Sequence, residues 1–568
     1  MPPDEQERMM SDQYADILIE YGGDESIFEQ FPDSAVKIIN FLYAVVHIPV
    51  ELFTLDFFEK WGYSIIPNCF GIISHSSIES TGIPRIRRIS NYSLRGQGVL
   101  IGVIDTGIDY LNPVFQNADN TTRIVSIWDQ TISSDKSPKN FEYGTEYTKE
   151  DINLALKSEQ PFNIVPSMDE NGHGTMVAGI AAGNEVPESN FYGIATDSEL
   201  VVVKLKQAKS YLREFFLIPE GTVCYSEVDI LFGLYYLLEA ANELKRPLVI
   251  CIAVGSSKGG HDGRGILCDV LSQIASRPGI GVVVAAGNEG NERRHYYGSI
   301  DQRRGSDAVE IMVGNNEKGM ILELWGESPN IYSVDIISPS GEYVPRVPVS
   351  LSDVTEISFI FERTKIYLLN ELVETQTGDQ VFLFRFVEPS PGIWRINVFE
   401  KGDLNRGFHM WLPMDKFISD DTFFIDPDIY TTVLALGNTF VPITVTAYND
   451  IDESLYLFAS RGYTRTNAIK PDLAAPGVNV IGPAPGNGFV AYTGTSVAAA
   501  HTAGVTAMIL EWANTSKAIP NISTIELKKL LLRGARRKTD VEYPNREWGY
   551  GILDIYNVFN ALRTEFFQ

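Results

Sequence analysis

Three short stretches of the 568-residue sequence carry side chains fit for nucleophilic chemistry, in the chain order acid, base, hydroxyl. The first, Val103-Ile104-Asp105-Thr106-Gly107, delivers a carboxylate at the end of an apolar run, just before a turn. Groups at the carboxyl ends of strands in an open α/β sheet face the ligand crevice. An Asp in that place also reads as a simple cap. The second, Asn171-Gly172-His173-Gly174-Thr175, sets a histidine between two glycines at the head of a small-residue stretch. Bare neighbours leave both ring nitrogens reachable, one to be held by a carboxylate and the other to act as a base. A solvated or capping histidine is the plainer alternative. The third, Gly494-Thr495-Ser496-Val497-Ala498, places a serine at the start of an Ala-rich helix. Backbone amides and the helix dipole favour a developing oxyanion there, while an N-cap serine is an equally good reading of the motif alone. His501 falls within the apolar helix and reads as a packed structural histidine.

Together the three motifs say more than each alone. A serine hydroxyl is inert at neutral pH unless a base takes its proton, and the base needs an acid to fix its tautomer. Asp105, His173 and Ser496 supply one of each. A fourth stretch, Val282 to Gly290, is an apolar run ending near Asn288. The Asn288 amide could join the backbone N–H of Ser496 in stabilising an anionic tetrahedral intermediate; a turn asparagine is the alternative.

The elements that must position these groups are legible in outline. Val99 to Ile104, Leu200 to Val203, Pro247 to Val254 and Gly281 to Ala286 are continuous apolar runs, as expected of parallel strands buried on both faces. His173 to Ala182 and Tyr225 to Leu244 have helical period, so residues 75–307 and 425–568 predict an α/β catalytic domain with helices on both faces of a parallel sheet. Between them, residues 308–424 show many short strand signals punctuated by Gly, Pro, Ser and Asn, which predicts an inserted β-sandwich or jelly roll. Its aromatics Trp325, Phe359, Phe361, Phe382, Phe384 and Trp394 are expected to form its own core. Residues 14–74 read as β-α-β-β-α-β, a split βαβ unit.

Composition bounds the partners. Acidic residues number 73 against 46 basic ones, a formal charge of −27, which repels phosphate backbones and anionic lipid. Nucleic acid and membrane surfaces are therefore not expected as partners. Hydrophobic residues at 44% and charged residues at 21% exclude a mainly disordered chain or a small disulfide scaffold. Cys69, Cys224, Cys251 and Cys268 form no CxxC pair, and no metal site is assigned. No basic cluster leads an apolar run at the N-terminus, and no stretch is long enough to span a bilayer. The expectation is a protein made in the cytoplasm without a signal peptide or a membrane span.

The Asp105, His173 and Ser496 motifs, the Asn288 segment and Lys470-Pro471-Asp472-Leu473-Ala474-Ala475-Pro476-Gly477 resemble those of the subtilisin-like serine proteases. The resemblance implies a doubly wound parallel sheet, endopeptidase activity on a protein substrate and no metal in the chemistry. It implies that Ile252 to Gly255 is an edge strand pairing with extended substrate, with substrate contacts at Val254, Gly255, Ala286 and Gly287. It also implies that residues 1–74 are a propeptide acting as folding chaperone and inhibitor. Calcium is left open, since no dense cluster of Asp and Asn can be assigned to a site. Val497 replaces the usual Met after the serine and Ala500 the usual Pro before His501, and neither change removes a functional group.

A narrower resemblance, carried by Gly102 to Tyr110, His261-Asp262-Gly263, the leader and the late β-insert, is to the clostridial Csp proteases of spore germination. It implies a spore-located protease that activates a cortex-lytic hydrolase zymogen by limited cleavage. A sensing or signalling protein on the same fold and a general intracellular subtilase are the alternatives. The intact triad weighs against the first of these. Finally, Cys69 to Ser74 is extended, apolar and uncharged, and could add to the edge strand at Val254-Gly255 by backbone pairing. Self-cleavage is therefore expected around Ile73, Ser74 and His75, with the leader remaining bound over the cleft.

Overall fold

The computed structural model describes residues 5–32, 34–73, 94–189, 191–300, 305–402, 404, 407–516, 519 and 521–566. Its centre is an eight-stranded sheet in the order Leu473–Pro476, Ile443–Tyr448, Ile280–Ala285, Leu248–Ile252, Leu100–Asp105, Glu199–Lys204, Ile124–Asp129, Thr145–Thr148. All neighbours run parallel except the last pair, a hairpin at the edge. The chain order reverses direction on either side of Leu100–Asp105, so that strand's carboxyl end opens on the crevice where such sheets bind ligands. Its six residues are all buried, as a central strand between helical layers requires. The helices His173–Ala182 and Thr495–Ser516 are buried almost throughout and pack against each other beneath this end of the sheet.

The leader folds as a three-stranded antiparallel sheet, Tyr14–Glu20, Tyr43–Pro49, Ala35–Ile38, with the helix Leu55–Trp61. Two details differ from the expected split βαβ order. The expected helix near Asp24 is a six-residue 3-10 segment, Glu25–Gln30, capped by the Asp24 side chain. The fourth strand, Cys69–Ile72, leaves the leader's sheet and pairs with the catalytic domain.

The β-insert consists of two antiparallel sheets. One runs His295–Ser299, Gly407–Trp411, Gly319–Gly326, Gln380–Val387, Lys365–Glu371, Ser352–Ser358; the other runs Tyr343–Val344, Ile331–Ile337, Gly392–Lys401, Ser306–Val313, Phe423–Phe424. Phe382, Phe384 and Phe386 from the first meet Trp394, Ile396 and Val398 from the second in one buried cluster, the packing of a sandwich. The first sheet starts at His295, before the boundary of 308 suggested by composition, because His295–Ser299 pairs with Gly407–Trp411. Two of the expected core aromatics lie elsewhere. Phe361 is 79% exposed in a turn, and Trp325 packs outward against the leader's Tyr63 with ring centroids 5.6 Å apart. Among the described residues no helix is long and apolar enough to cross a membrane, and the four cysteines are buried free thiols.

Candidate active site

Asp105 is the last residue of its strand, and His173 is the first residue of its helix. The His173 Nδ1 lies 2.8 and 2.9 Å from the two carboxylate oxygens of Asp105. Both are buried, at 0% and 3% exposure, so the pair is shielded from water. Thr106 N–H donates to Asp105 Oδ1 at 2.7 Å and fixes the carboxylate's rotation. The approach of helix to strand depends on Gly174, because a Cβ there would lie 2.2 Å from the Gly107 carbonyl oxygen.

A residue that the motif reading missed holds this corner together. Asp169, 3% exposed, accepts from Gly172 N–H at 2.8 Å and from Thr106 Oγ1 at 2.7 Å through one oxygen. Through the other it accepts from Thr175 N–H at 2.8 Å and Thr175 Oγ1 at 2.6 Å. It thereby satisfies the start of the His173 helix and ties it to the Asp105 turn. An acid four residues before the histidine was the only sequence signal, and a lone acid in a loop carries little weight.

Ser496 is the second residue of the helix Thr495–Ser516 and is fully buried. Asn288 lies three residues past the strand Ile280–Ala285, on a turn held against the same helix. Its Oδ1 accepts from Thr495 N–H at 3.1 Å and from Thr495 Oγ1 at 3.2 Å, while Gly287 N–H donates to Thr495 Oγ1 at 3.0 Å. With its oxygen so engaged, Asn288 has only its Nδ2 left to offer. Ser496 Oγ, His173 Nε2 and Asn288 Nδ2 are all buried without a hydrogen-bond partner. Buried polar atoms are rarely left so. His501 is different: its Nδ1 lies 3.2 Å from the Val497 carbonyl, and burial pulls its pKa down to about 4, leaving a neutral packed ring.

The leader's last described strand lies in the cleft beside these groups. Ile72 pairs with Val254 and Gly71 with Gly255 on one side; Phe70 pairs with Tyr225 and Cys69 with Ser226 on the other. The Tyr225–Ser226 wall was read as the start of a helix, which instead begins at Glu227 with the Ser226 side chain capping Val228 N–H. Two residues whose partner strand comes from the leader leave no periodicity to detect. The ladder continues through Asn68, whose N–H donates to Glu227 Oε2 at 2.7 Å and whose carbonyl accepts from Glu227 N–H at 2.9 Å.

Beyond Ile72, a Cβ on Gly255 would lie 2.7 Å from Ile73 Cδ1 and 2.5 Å from Leu434 Cδ1. A Cβ on Gly287 would lie 2.6 Å from Leu434 Cγ, and Leu434 N–H donates to the Ala286 carbonyl at 2.9 Å. Of the four expected substrate contacts, Gly255 thus meets Ile73 and Val254 pairs with Ile72, while Ala286 and Gly287 meet Leu434. Ser74 and His75 lie outside the described residues. Among the described residues no group of three or more His, Cys, Asp or Glu could hold a metal ion.

An acid–imidazole pair, a serine at a helix start and an amide donor, gathered at one end of a strand-lined cleft, make a constellation suited to acyl transfer. The subtilase family model, peptidase S8, matches residues 96–317 and 427–551. The chain belongs to the subtilase family. A solved structure, that of the Clostridium perfringens CspB protease, is 31% identical to this subtilase with a TM-score of 0.75, covering 84% of this chain and 95% of the other. The PII-type proteinase of Lacticaseibacillus paracasei is 22% identical over 83% of the chain, and the subtilisin-like protease SBT3.15 of Arabidopsis thaliana is 23% identical over 82%. The chain spans 26% of the first and 59% of the second, which are longer proteins.

Proposed function

We propose that this subtilase is a serine endopeptidase that cuts its own leader and then cleaves a protein substrate at the same site. Asp105 orients His173, His173 Nε2 takes the Ser496 proton, and Ser496 Oγ attacks the scissile carbonyl. Asn288 Nδ2 and the Ser496 N–H receive the oxyanion. The proton then passes from His173 to the leaving amine, and water releases the acyl group by the reverse sequence. The observation that carries this reading is the set of three buried, unpartnered atoms, Ser496 Oγ, His173 Nε2 and Asn288 Nδ2, beside an Asp105–His173 pair whose other contacts are satisfied.

The leader strand lies as a substrate or product would, paired on both edges. We read residues 1–74 as a propeptide cut near Ile73, Ser74 and His75 and retained over the cleft. The similarity to a protease named CspB supports a role in spore germination, with a cortex-lytic hydrolase zymogen as substrate and the spore as location. Intact-mass spectrometry of the wild type beside Ser496→Ala tests the chemistry. Two co-eluting fragments are expected for the wild type and a single full-length chain for the variant, the rate falling on the order of 10⁶-fold. Cleavage of the variant at the wild-type rate would overturn the assignment.

A further inference from the structure

The cleft has a third wall, supplied by the β-insert segment that links the strands Gly407–Trp411 and Phe423–Phe424. Side chains alternate along an extended strand. Cys69 and Ile73 belong to the buried cluster that also holds Phe417, Met414 and Leu434, while Phe70 belongs to a second cluster with Tyr225 and Val254, against which Ile72 packs. Gly71 therefore presents its open side between Cys69 and Ile73. That side is closed: a Cβ on Gly71 would lie 3.0 and 3.1 Å from Phe417 Cε1 and Cζ, and 3.3 Å from Met414 Cε.

The wall has little freedom to retreat. Phe417 and Met414 are 6% and 2% exposed. Phe417 N–H donates to the Met414 carbonyl at 3.0 Å, and Asp415 N–H donates to the Glu289 carboxylate at 3.2 Å. Glu289 adjoins Asn288, so the wall is moored to the turn that carries the candidate oxyanion donor. Burial pushes the Glu289 carboxyl up to about 8. Two residues upstream the same segment behaves differently. Beside Cys69 a small cavity remains, lined by Phe216, Ile218, Trp411 and Phe417 and also by Lys258 and Glu323.

We propose that the segment 411–417 determines specificity by reading alternate positions of an extended substrate. It selects against side chains at the position of Gly71, more strongly the larger they are, and leaves room for side chains larger than cysteine's at the position of Cys69. The substrate class is thus a protein segment that binds extended with glycine two residues before the one placed where Ile73 lies. This rests on the reading that the leader strand lies as a substrate does.

The test uses the full-length chain in four forms: wild type, Gly71→Leu, Cys69→Leu, and Gly71→Leu combined with Phe417→Ala. Self-cleavage is followed by intact mass over time. Cys69→Leu is expected to cut within about threefold of the wild type, and Gly71→Leu roughly 10–200-fold more slowly. The added Phe417→Ala is expected to restore most of that loss. In parallel, amide hydrogen exchange of residues 69–73 is measured in a Ser496→Ala background, where nothing is cut. Gly71→Leu should lose protection there, and Phe417→Ala should return it. Unchanged cutting and exchange in Gly71→Leu, or a loss that Phe417→Ala does not relieve, overturns the wall. An uncut wild type whose exchange pattern follows expectation overturns self-processing and leaves the wall standing.

Discussion

The leader is held by two unlike attachments. Its strand Cys69–Ile72 is gripped by backbone ladders on both edges, which would accept many sequences in the same place. Its folded body is held by particular side chains. Asp16 Oδ1 meets His47 Nδ1 at 2.7 Å within the leader and Lys209 Nζ at 2.8 Å across the interface, all three buried. Tyr211 OH donates to the Asp16 carbonyl at 2.8 Å, and Phe53 and Phe58 pack on Phe215. The β-insert joins in: Glu323, 2% exposed, accepts from the leader's Tyr63 OH at 2.8 Å, from Gly259 N–H of the catalytic domain at 3.0 Å and from its own Trp325 at 3.0 Å. The backbone ladders would serve any extended segment that fits the wall over Gly71, so a preference for the leader over such segments is expected to come from its body.

The comparison is broken most sharply at Lys209. Lys209→Met leaves Asp16 buried with one cationic partner removed, and stranding a buried charge typically costs about 3–5 kcal/mol. Leader release after cutting, followed by size-exclusion chromatography at pH 7, should rise at least roughly 100-fold. Acid should act through the same carboxylate. Burial alone would raise the Asp16 pKa, but Lys209 and His47 hold it well below the usual carboxylate range when docked. A group whose docked pKa is depressed gives stability that is present above its free value, about 3.9, and is lost as pH falls through the docked value. Asp16 should therefore contribute fully at pH 5 and fail only in stronger acid. Release beginning between pH 5 and 7 through this group would contradict it.

The difference between the attachments also explains what the sequence disclosed. The candidate triad motifs are contiguous, each fixed by local demands such as the glycine beside His173, so Asp105, His173, Ser496 and Asn288 could be proposed from short motifs and their resemblance to a known family. The apolar runs of the central strands were as plain, because both faces are buried. Asp16 and Lys209 stand 193 positions apart, and nothing local marks either as half of a pair. Tyr225–Ser226 pairs with a strand that comes from the leader, far away in sequence. Phe417, the wall over Gly71, lies in a connection of an insert whose strands were legible singly but whose partners were not.

A middle-sized effect should come from Glu371 on the insert, which accepts from Tyr63 N–H at 2.9 Å. Burial pushes its carboxyl up to about 7, with Glu374 adding to the rise and the Tyr63 N–H opposing it. A raised docked pKa means the docked chain binds more protons than the released one between about pH 4.3 and 7. Retention from this group is full below that window and declines as pH rises through it, the opposite sign to Asp16. Leader release should thus increase on the order of tenfold across the window, and Glu371→Gln should flatten the dependence. A profile unchanged by Glu371→Gln would remove the insert's carboxylate from the account.

The smallest effect should come from the cleft strand itself, provided the side chain changed does not face the wall. Ile72 is half-buried and lies on the side away from Phe417 and Met414, packed at the margin of the cluster that holds Phe70 and Val254. Removing one methyl group from a fully buried isoleucine costs about 0.5–1.5 kcal/mol, and a half-buried one should lose less. Its pairing with Val254 is a backbone ladder that valine preserves, since β-branched residues suit an extended strand. Ile72→Val should therefore change the self-cleavage rate and leader release by less than about threefold. If Ile72→Val instead matched Lys209→Met in releasing the leader, side-chain recognition in the cleft would reach beyond the wall over Gly71, and the division between a backbone grip and a selective body would fail.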